Sequence, residues 1–309
     1  MLDLSHLATN PKVDIQQFPG NSVAVGVTWQ VWNKPRGVNM VYIILLGSGG
    51  GGGTGAVGVT GAAAGGGGGG SAGQSTILIP AFLLPDQLFI STGIGAAAAG
   101  FASYVSISQN TTQNHLVLHA AGGGLGGNAS AGTAGTNGTA GAVSTIGTAP
   151  LGGLGVPFYL AGQVGTSGGN SIPGPSVTLP VTGLICTGGA GGAGIPAAPT
   201  AGNAGGGLSV PVAPSPFPPQ IGGAGGAAVT TPPERGSNGW SGMNKLFYNY
   251  GGAGGGSTHG SASGAGLVQA AGGDGAYGCG AGGMGGALTG STAAVQAKGG
   301  SGIAIIISW

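Results

Sequence analysis

Charge is the scarcest component of this sequence: 4% of its 309 residues are Asp, Glu, Lys or Arg, and the formal net charge is +1. The six cations, Lys12, Lys34, Arg36, Arg235, Lys245 and Lys298, are scattered, so no basic patch exists and nucleic acid is not expected as a partner. Long apolar runs are missing too. The longest, 41–46 and 77–90, are too short for a bilayer, and the second contains Pro80, Pro85 and Asp86, so no membrane insertion is expected. Met1-Leu2-Asp3-Leu4-Ser5-His6 has neither the basic nor the apolar region of a secretory signal, which points to a soluble product made in a cytoplasm. In that setting the triplets beginning at Asn110, Asn128 and Asn137 carry no meaning as glycosylation acceptors. Cysteine occurs twice, at Cys186 and Cys279, each beside a glycine tract; a disulfide and two buried free thiols both fit, the second being the commoner state in a cytoplasm. No segment has helical periodicity.

Catalytic groupings are absent as well. The acidic residues Asp3, Asp14, Asp86, Glu234 and Asp274 lie far apart, and none pairs with another as an acid and a base would. Asp86 follows Pro85 and reads as a turn residue. His115 and His119 have an even spacing that puts them on one strand face, a pattern shared by metal pairs and ordinary polar faces, but no Cys, Asp or Glu stands near to complete a ligand set. Gly-x-Gly-x-x-Gly recurs by composition alone, without βαβ context, and no Gly-Lys-Ser or Gly-Lys-Thr follows it. Gly260-Ser261-Ala262-Ser263-Gly264 has the spacing of a nucleophile elbow without a histidine and acid to serve it. The expectation is a protein that is not an enzyme and holds no cofactor and no metal.

What the chain has is glycine, 78 residues of it, far above the usual share of about 7%. Such composition normally means disorder, yet 41% of the residues are hydrophobic, and a chain so apolar and uncharged does not stay soluble as an open coil. Gly188-Gly189-Ala190-Gly191-Gly192-Ala193-Gly194 keeps a strict period of three, and the beat recurs at 122–127, 222–227, 251–256 and 282–287. Three belongs neither to the α-helix nor to the strand. It is the period of polyproline II, a left-handed helix without internal hydrogen bonds, whose N–H and C=O groups must find partners on other segments when buried. The short tracts, with alanine as their usual third residue, exclude a collagen triple helix.

Along the chain, 1–22 reads as a polar arm or docking segment, and 23–309 as one glycine-rich domain. Alternation over 23–32 predicts a half-buried strand, and the run 38–46 a strand buried on both faces. Further strands are expected within 76–91, at 104–108 and 115–119 around an Asn/Thr turn, at 156–160, 177–186 and 208–212, and at 302–309. The proline-rich stretch 211–219 is extended by composition. Because strong strands open and close the domain, 23–46 and 302–309 are expected in one sheet. The fold class is all-β: a jelly-roll-like β-sandwich whose glycine-rich loops form a polyglycine II helix bundle.

Trp29-Gln30-Val31-Trp32-Asn33-Lys34-Pro35-Arg36-Gly37-Val38, followed by a hydrophobic strand and a poly-Gly run and closed by Gly299-Gly300-Ser301-Gly302-Ile303-Ala304-Ile305-Ile306-Ile307-Ser308-Trp309, resembles the glycine-rich domains of bacteriophage virion proteins. The tracts also resemble those of tail-fibre tip adhesins. That resemblance implies a sandwich of polyglycine II helices whose far loops carry receptor specificity, other virion proteins and a homo-oligomer, a trimer, as partners, a virion location, and a host cell-surface receptor. The chain departs from the adhesins in having no separate tail-attachment domain beyond 1–22, which keeps a capsid or tail decoration without a receptor role as the alternative. An ice-binding or extracellular matrix protein built on polyglycine II is a further one. Candidate receptor-binding residues are Trp240, Phe247, Tyr248 and Tyr250, with Arg235, Asn238 and Lys245, because aromatic and arginine side chains on loops serve recognition.

Overall fold

A computed structural model of the chain describes residues 13–24, 26–143, 155–179, 186–197, 201–209, 221–226, 232–239, 249–258 and 267–309. Its strands are β1 (Asp14–Pro19), β2 (Gln30–Asn33), β3 (Met40–Leu46), β4 (Val57–Gly58), β5 (Gln74–Pro80), β6 (Gln87–Ser91), β7 (Ser103–Ser106), β8 (Leu116–Ala120), β9 (Val156–Leu160), β10 (Val177–Thr178), β11 (Leu208–Ser209), β12 (Ala287–Leu288) and β13 (Ile303–Ser308). The fold is all-β. The helical turns among the described residues are two 3-10 turns, Ala81–Leu83 and Gln113–His115.

Two antiparallel sheets dominate, one ordered β1-β13-β3-β5-β9 and the other β2-β6-β7-β8. Alternation explains the core between them. Val41, Ile43 and Leu45 from β3, Ile77 and Ile79 from β5 and Ile306 from β13 meet Trp32, Leu88, Ile90, Val105 and Leu118 of the smaller sheet in one buried cluster. The opposite face of the larger sheet is apolar as well: Leu46, Ile303, Ile305 and Ile307 pack with Cys186 and Cys279. This is why 38–46 reads as a continuous hydrophobic run, each face having its own cover.

Several expectations are corrected. Of the expected arm 1–22, Asp14–Pro19 is no arm: it pairs with β13 as an edge strand and buries Phe18. The alternating stretch 23–32 becomes strand only at Gln30. Ahead of it Gly26 takes a positive φ of 66°, Trp29 Nε1 donates to the Gly26 carbonyl, and Val23 and Val27 are each 65% exposed. Pairing of β3 with β13 places those two in one sheet as expected, but β2 belongs to the other. The proline-bounded turn after β5 is likewise a crossing: Ala81–Leu83 carries the chain from the larger sheet to β6 of the smaller. The extended reading of 211–219 falls outside the described residues, as do most of 177–186 and 208–212 beyond β10 and β11.

Between strands the chain runs out from one end of the sheets and back, and the glycine segments bond to each other there. The segment 65–73 shows the rule. Gly65, Gly68 and Ser71 donate to Gly169, Thr166 and Gln163; Gly66, Gly69 and Ala72 donate to Met284, Ala281 and Gly278; Gly67, Gly70 and Gly73 donate to Gly127, Gly124 and Ala121. Each acceptor number falls by three as the donor rises by three, so all three neighbours run antiparallel to it. Its carbonyls accept from three more segments, through Gly50 and Gly53, through Gly189 and Gly192, and through Gly135, Gly138 and Gly141. A strand donates to two sides with a period of two; this segment donates to three sides with a period of three and has six neighbours.

The segment 188–194 repeats the arrangement. Gly189 and Gly192 donate to Gly69 and Gly66, Ala190 and Ala193 to Gly252 and Gly255, Gly191 and Gly194 to Pro175 and Ile172. The methyls of Ala190 and Ala193 are buried between segments. Glycine is required at the other positions by close approach: a Cβ on Gly67 would overlap the Thr136 carbonyl, and one on Gly189 that of Ala281.

Candidate functional site

The expected binding residues part company. Arg235 and Asn238 are exposed on the flank of the glycine segments. Tyr250 is a correction: it is 0% exposed, because Asn249 pairs with Cys186 in a parallel bridge and draws the start of the glycine segment 249–258 into the interior. Trp240, Lys245, Phe247 and Tyr248 lie outside the described residues.

Around Arg235 the structure assembles a polar flank from three segments distant in sequence, 232–239, 267–275 and 293–301. Gly236 donates to Ala271, Gly239 to Asp274 and Gly275 to Lys298, which sets the three side by side. Asp274 joins them. Its Oδ2 lies 2.9 Å from Arg235 Nη2 and its Oδ1 accepts the Lys298 amide at 2.8 Å, while its own amide donates to Asn238 Oδ1 at 3.0 Å. Arg235 Nε donates to the Gly272 carbonyl at 3.1 Å, so the guanidinium is held at both ends. Both partners of this ion pair are about half exposed, which limits the pair itself to about 0.2–1 kcal/mol.

Arg235, Ala271, Asp274, Val295, Gln296 and Lys298 line a concavity of 240 Å3. A second, of 300 Å3, begins at the next residue and is lined by Gly239, Gly275, Ala276, Tyr277 and Ser301. Val295 is 81% exposed at the rim. A third concavity, of 270 Å3, sits at the opposite end of the sheets, where Lys34, Arg36 and Asp86 surround Phe82, itself 82% exposed. There Lys34 Nζ donates to the Leu84 carbonyl at 2.7 Å and lies 3.3 Å from Asp86 Oδ1, tying the turn after β2 to the crossing between sheets.

The chain matches no protein-family model and no curated protein.

The other chemistry-bearing residues are structural in placement. Cys186 and Cys279 are free and buried together; burial, then the neighbouring Cys186 thiol, pushes the Cys279 thiol well above its ordinary value of 9.0. His115 and His119 do not act as one face: His115 sits in the 3-10 turn with Nδ1 2.9 Å from Ser108 Oγ, a register shift in the β7–β8 pairing separates it from His119, and the His119 ring lies 5.1 Å from that of Tyr104. Burial lowers the pKa of His119. Among the described residues no group of three His, Cys, Asp or Glu side chains could hold a metal ion. Sequence reasoning found Arg235 and Asn238 but missed Asp274, Gln296 and Lys298. The available signal was the rarity of charge, which makes every ionised residue in the glycine-rich half worth locating.

Proposed function

We propose that this chain is a non-enzymatic surface protein of a bacteriophage particle, a fibre, tip or decoration that engages a host receptor. In this reading the two sheets form a β-sandwich and the glycine segments form a bundle of polyglycine II helices above one end of it. One observation carries the proposal: hydrogen bonds among the glycine segments repeat every third residue and reach six neighbours around 65–73. That is the period of a three-residue helix with outward-pointing amides and carbonyls, and such helices are what the resemblance to tail-fibre tip adhesins implies. The paired strands β3 and β13, which carry the sequence frame of the resemblance, support it further.

A bundle of this kind is a rigid stalk with few titratable groups, suited to presenting a surface outside a cell. Its partners are other virion proteins, further copies of the chain, and the receptor. Purified protein, fluorescently labelled, is expected to attach to host cells, and mass spectrometry of purified particles is expected to find it. Presence in particles without attachment, with electron microscopy finding it arrayed over the capsid or tail, leaves the decoration role standing and removes the receptor role. Absence from particles overturns both.

A further inference from the structure

Only 11 of 309 residues carry charge, six cations and five anions, yet Arg235, Asp274 and Lys298 converge on one concavity. We propose that this flank is a saccharide site selective for acidic sugars, in which Arg235 and Lys298 hold a sugar carboxylate and the neighbouring concavity at Tyr277 takes the next ring. The proposal rests on the receptor-binding reading and names its ligand class.

The chemistry follows from how the donors are spent. A guanidinium has five N–H groups in a fixed fork; here Nε serves the Gly272 carbonyl and Nη2 serves Asp274, which orients the group and leaves the remaining N–H groups for a ligand. Asp274 is compensated by Arg235 and by the Lys298 amide, so it acts as the brace. The Lys298 side chain is exposed at the same wall, and the three residues together carry one net positive charge, which suits a monoanion. Gln296, whose Nε2 donates to the Gly52 carbonyl, also lines the concavity, and its carboxamide oxygen is an acceptor suited to a hydroxyl.

Size points to a linked ligand. The two concavities, 240 and 300 Å3, have consecutive residues, Asp274 and Gly275, in their walls. Neither alone exceeds the floor of the range of about 300–1,000 Å3 typical of small-molecule sites, so the proposed ligand is a disaccharide with one ring in each. The second contains a half-buried aromatic residue, Tyr277, and a hydroxyl, Ser301, the apolar platform and polar handle that an amphipathic sugar ring uses. Placement on the segments rather than on a loop holds the groups rigidly, since each backbone is bonded to its neighbours.

The test is calorimetric titration of the full chain with cellobiouronate, a disaccharide with one carboxylate, with cellobiose as its uncharged parent, on the wild type, Lys298→Gln and Arg235→Gln. Saturable binding of cellobiouronate with a Kd of about 1 mM or tighter is expected, weakened at least ~10-fold for cellobiose and for each variant. Lys298→Gln keeps the main-chain bonds of residue 298, so its melting temperature should equal that of the wild type and a loss of binding there cannot be a loss of fold. No saturable binding, equal affinity for both sugars, or unchanged affinity in both variants overturns the proposal. Cell attachment measured alongside separates the two readings: attachment without cellobiouronate binding sinks the site and leaves the receptor role, while cellobiouronate binding without attachment sinks the receptor role and leaves the site.

Discussion

At the residue scale, the glycines divide into those that need space and those that need a backbone angle. Gly67 and Gly189 have carbonyl oxygens where a Cβ would go, and the neighbouring segment cannot retreat because it is bonded to others in turn. Gly67→Ala and Gly189→Ala are each expected to destabilise by on the order of 3 kcal/mol in urea denaturation. Gly37 has φ +78° and nothing within 4 Å of the added carbon, so Gly37→Ala should cost only the left-handed strain, about 1–2 kcal/mol. Equal losses at all three sites would mean that close approach does not govern the glycine segments. His119 gives a second residue-scale expectation. Burial lowers its pKa from 6.5, so the folded state resists the proton that the unfolded state accepts. Stability should therefore fall as pH drops from 6.5 towards the folded value, and His119→Gln should flatten that slope in melting curves recorded above the carboxylate range.

At the element scale, register is the property that matters. Inserting one glycine between Gly191 and Gly192 would rotate all that follows by a third of a turn, turning Gly192, Ala193 and Gly194 away from Gly66, Gly255 and Ile172. Each buried pair left unmade costs about 1–3 kcal/mol, and several together rival the whole stability of a domain. Circular dichroism should show the cooperative melt lost or moved far down, whereas three residues inserted in the turn at Gly290 should be tolerated; an unchanged melt after the single insertion would mean a flexible spacer. The period that makes this testable was legible in the sequence, as were β3, the hairpin of β7 and β8, and β13, because each is a hydrophobic run or a repeat visible locally. Sheet membership was not legible: Pro80 and Pro85 mark a turn equally well for a hairpin and for a crossing. The alternation at 23–28 misled because Gly26 permits a loop there. Nor could the neighbours of any glycine segment be read, since one Gly-Gly-Ala tract bonds as well as another. The same holds for the polar flank: Arg235, Asp274 and Lys298 are brought together by bonding between segments, and nothing local relates them.

At the scale of the whole molecule, the strands of the two sheets lie within 14–120, 156–160 and 303–308, with glycine segments inserted between them, so neither can form a complete unit without the other. β13 enters from the last glycine segment and lies between β1 and β3, burying Ile303, Ile305, Ile306 and Ile307. The segment 279–287 in turn bonds to 50–56, 187–193 and 270–273, which are far apart in sequence. Glycine loses more backbone entropy on folding than any other residue, so an isolated segment has no stability of its own and depends on completed neighbours. Unfolding should therefore be a single event. Hydrogen exchange followed by mass spectrometry should find peptides from 65–73 and 279–287 exchanging with the same free energy as Met40–Leu46, at the global limit. The segment 221–226, with Ile221 67% exposed, should exchange earlier through local opening. If 65–73 exchanged well before β3, the glycine segments would be a separate, weaker layer carried by an independently stable pair of sheets.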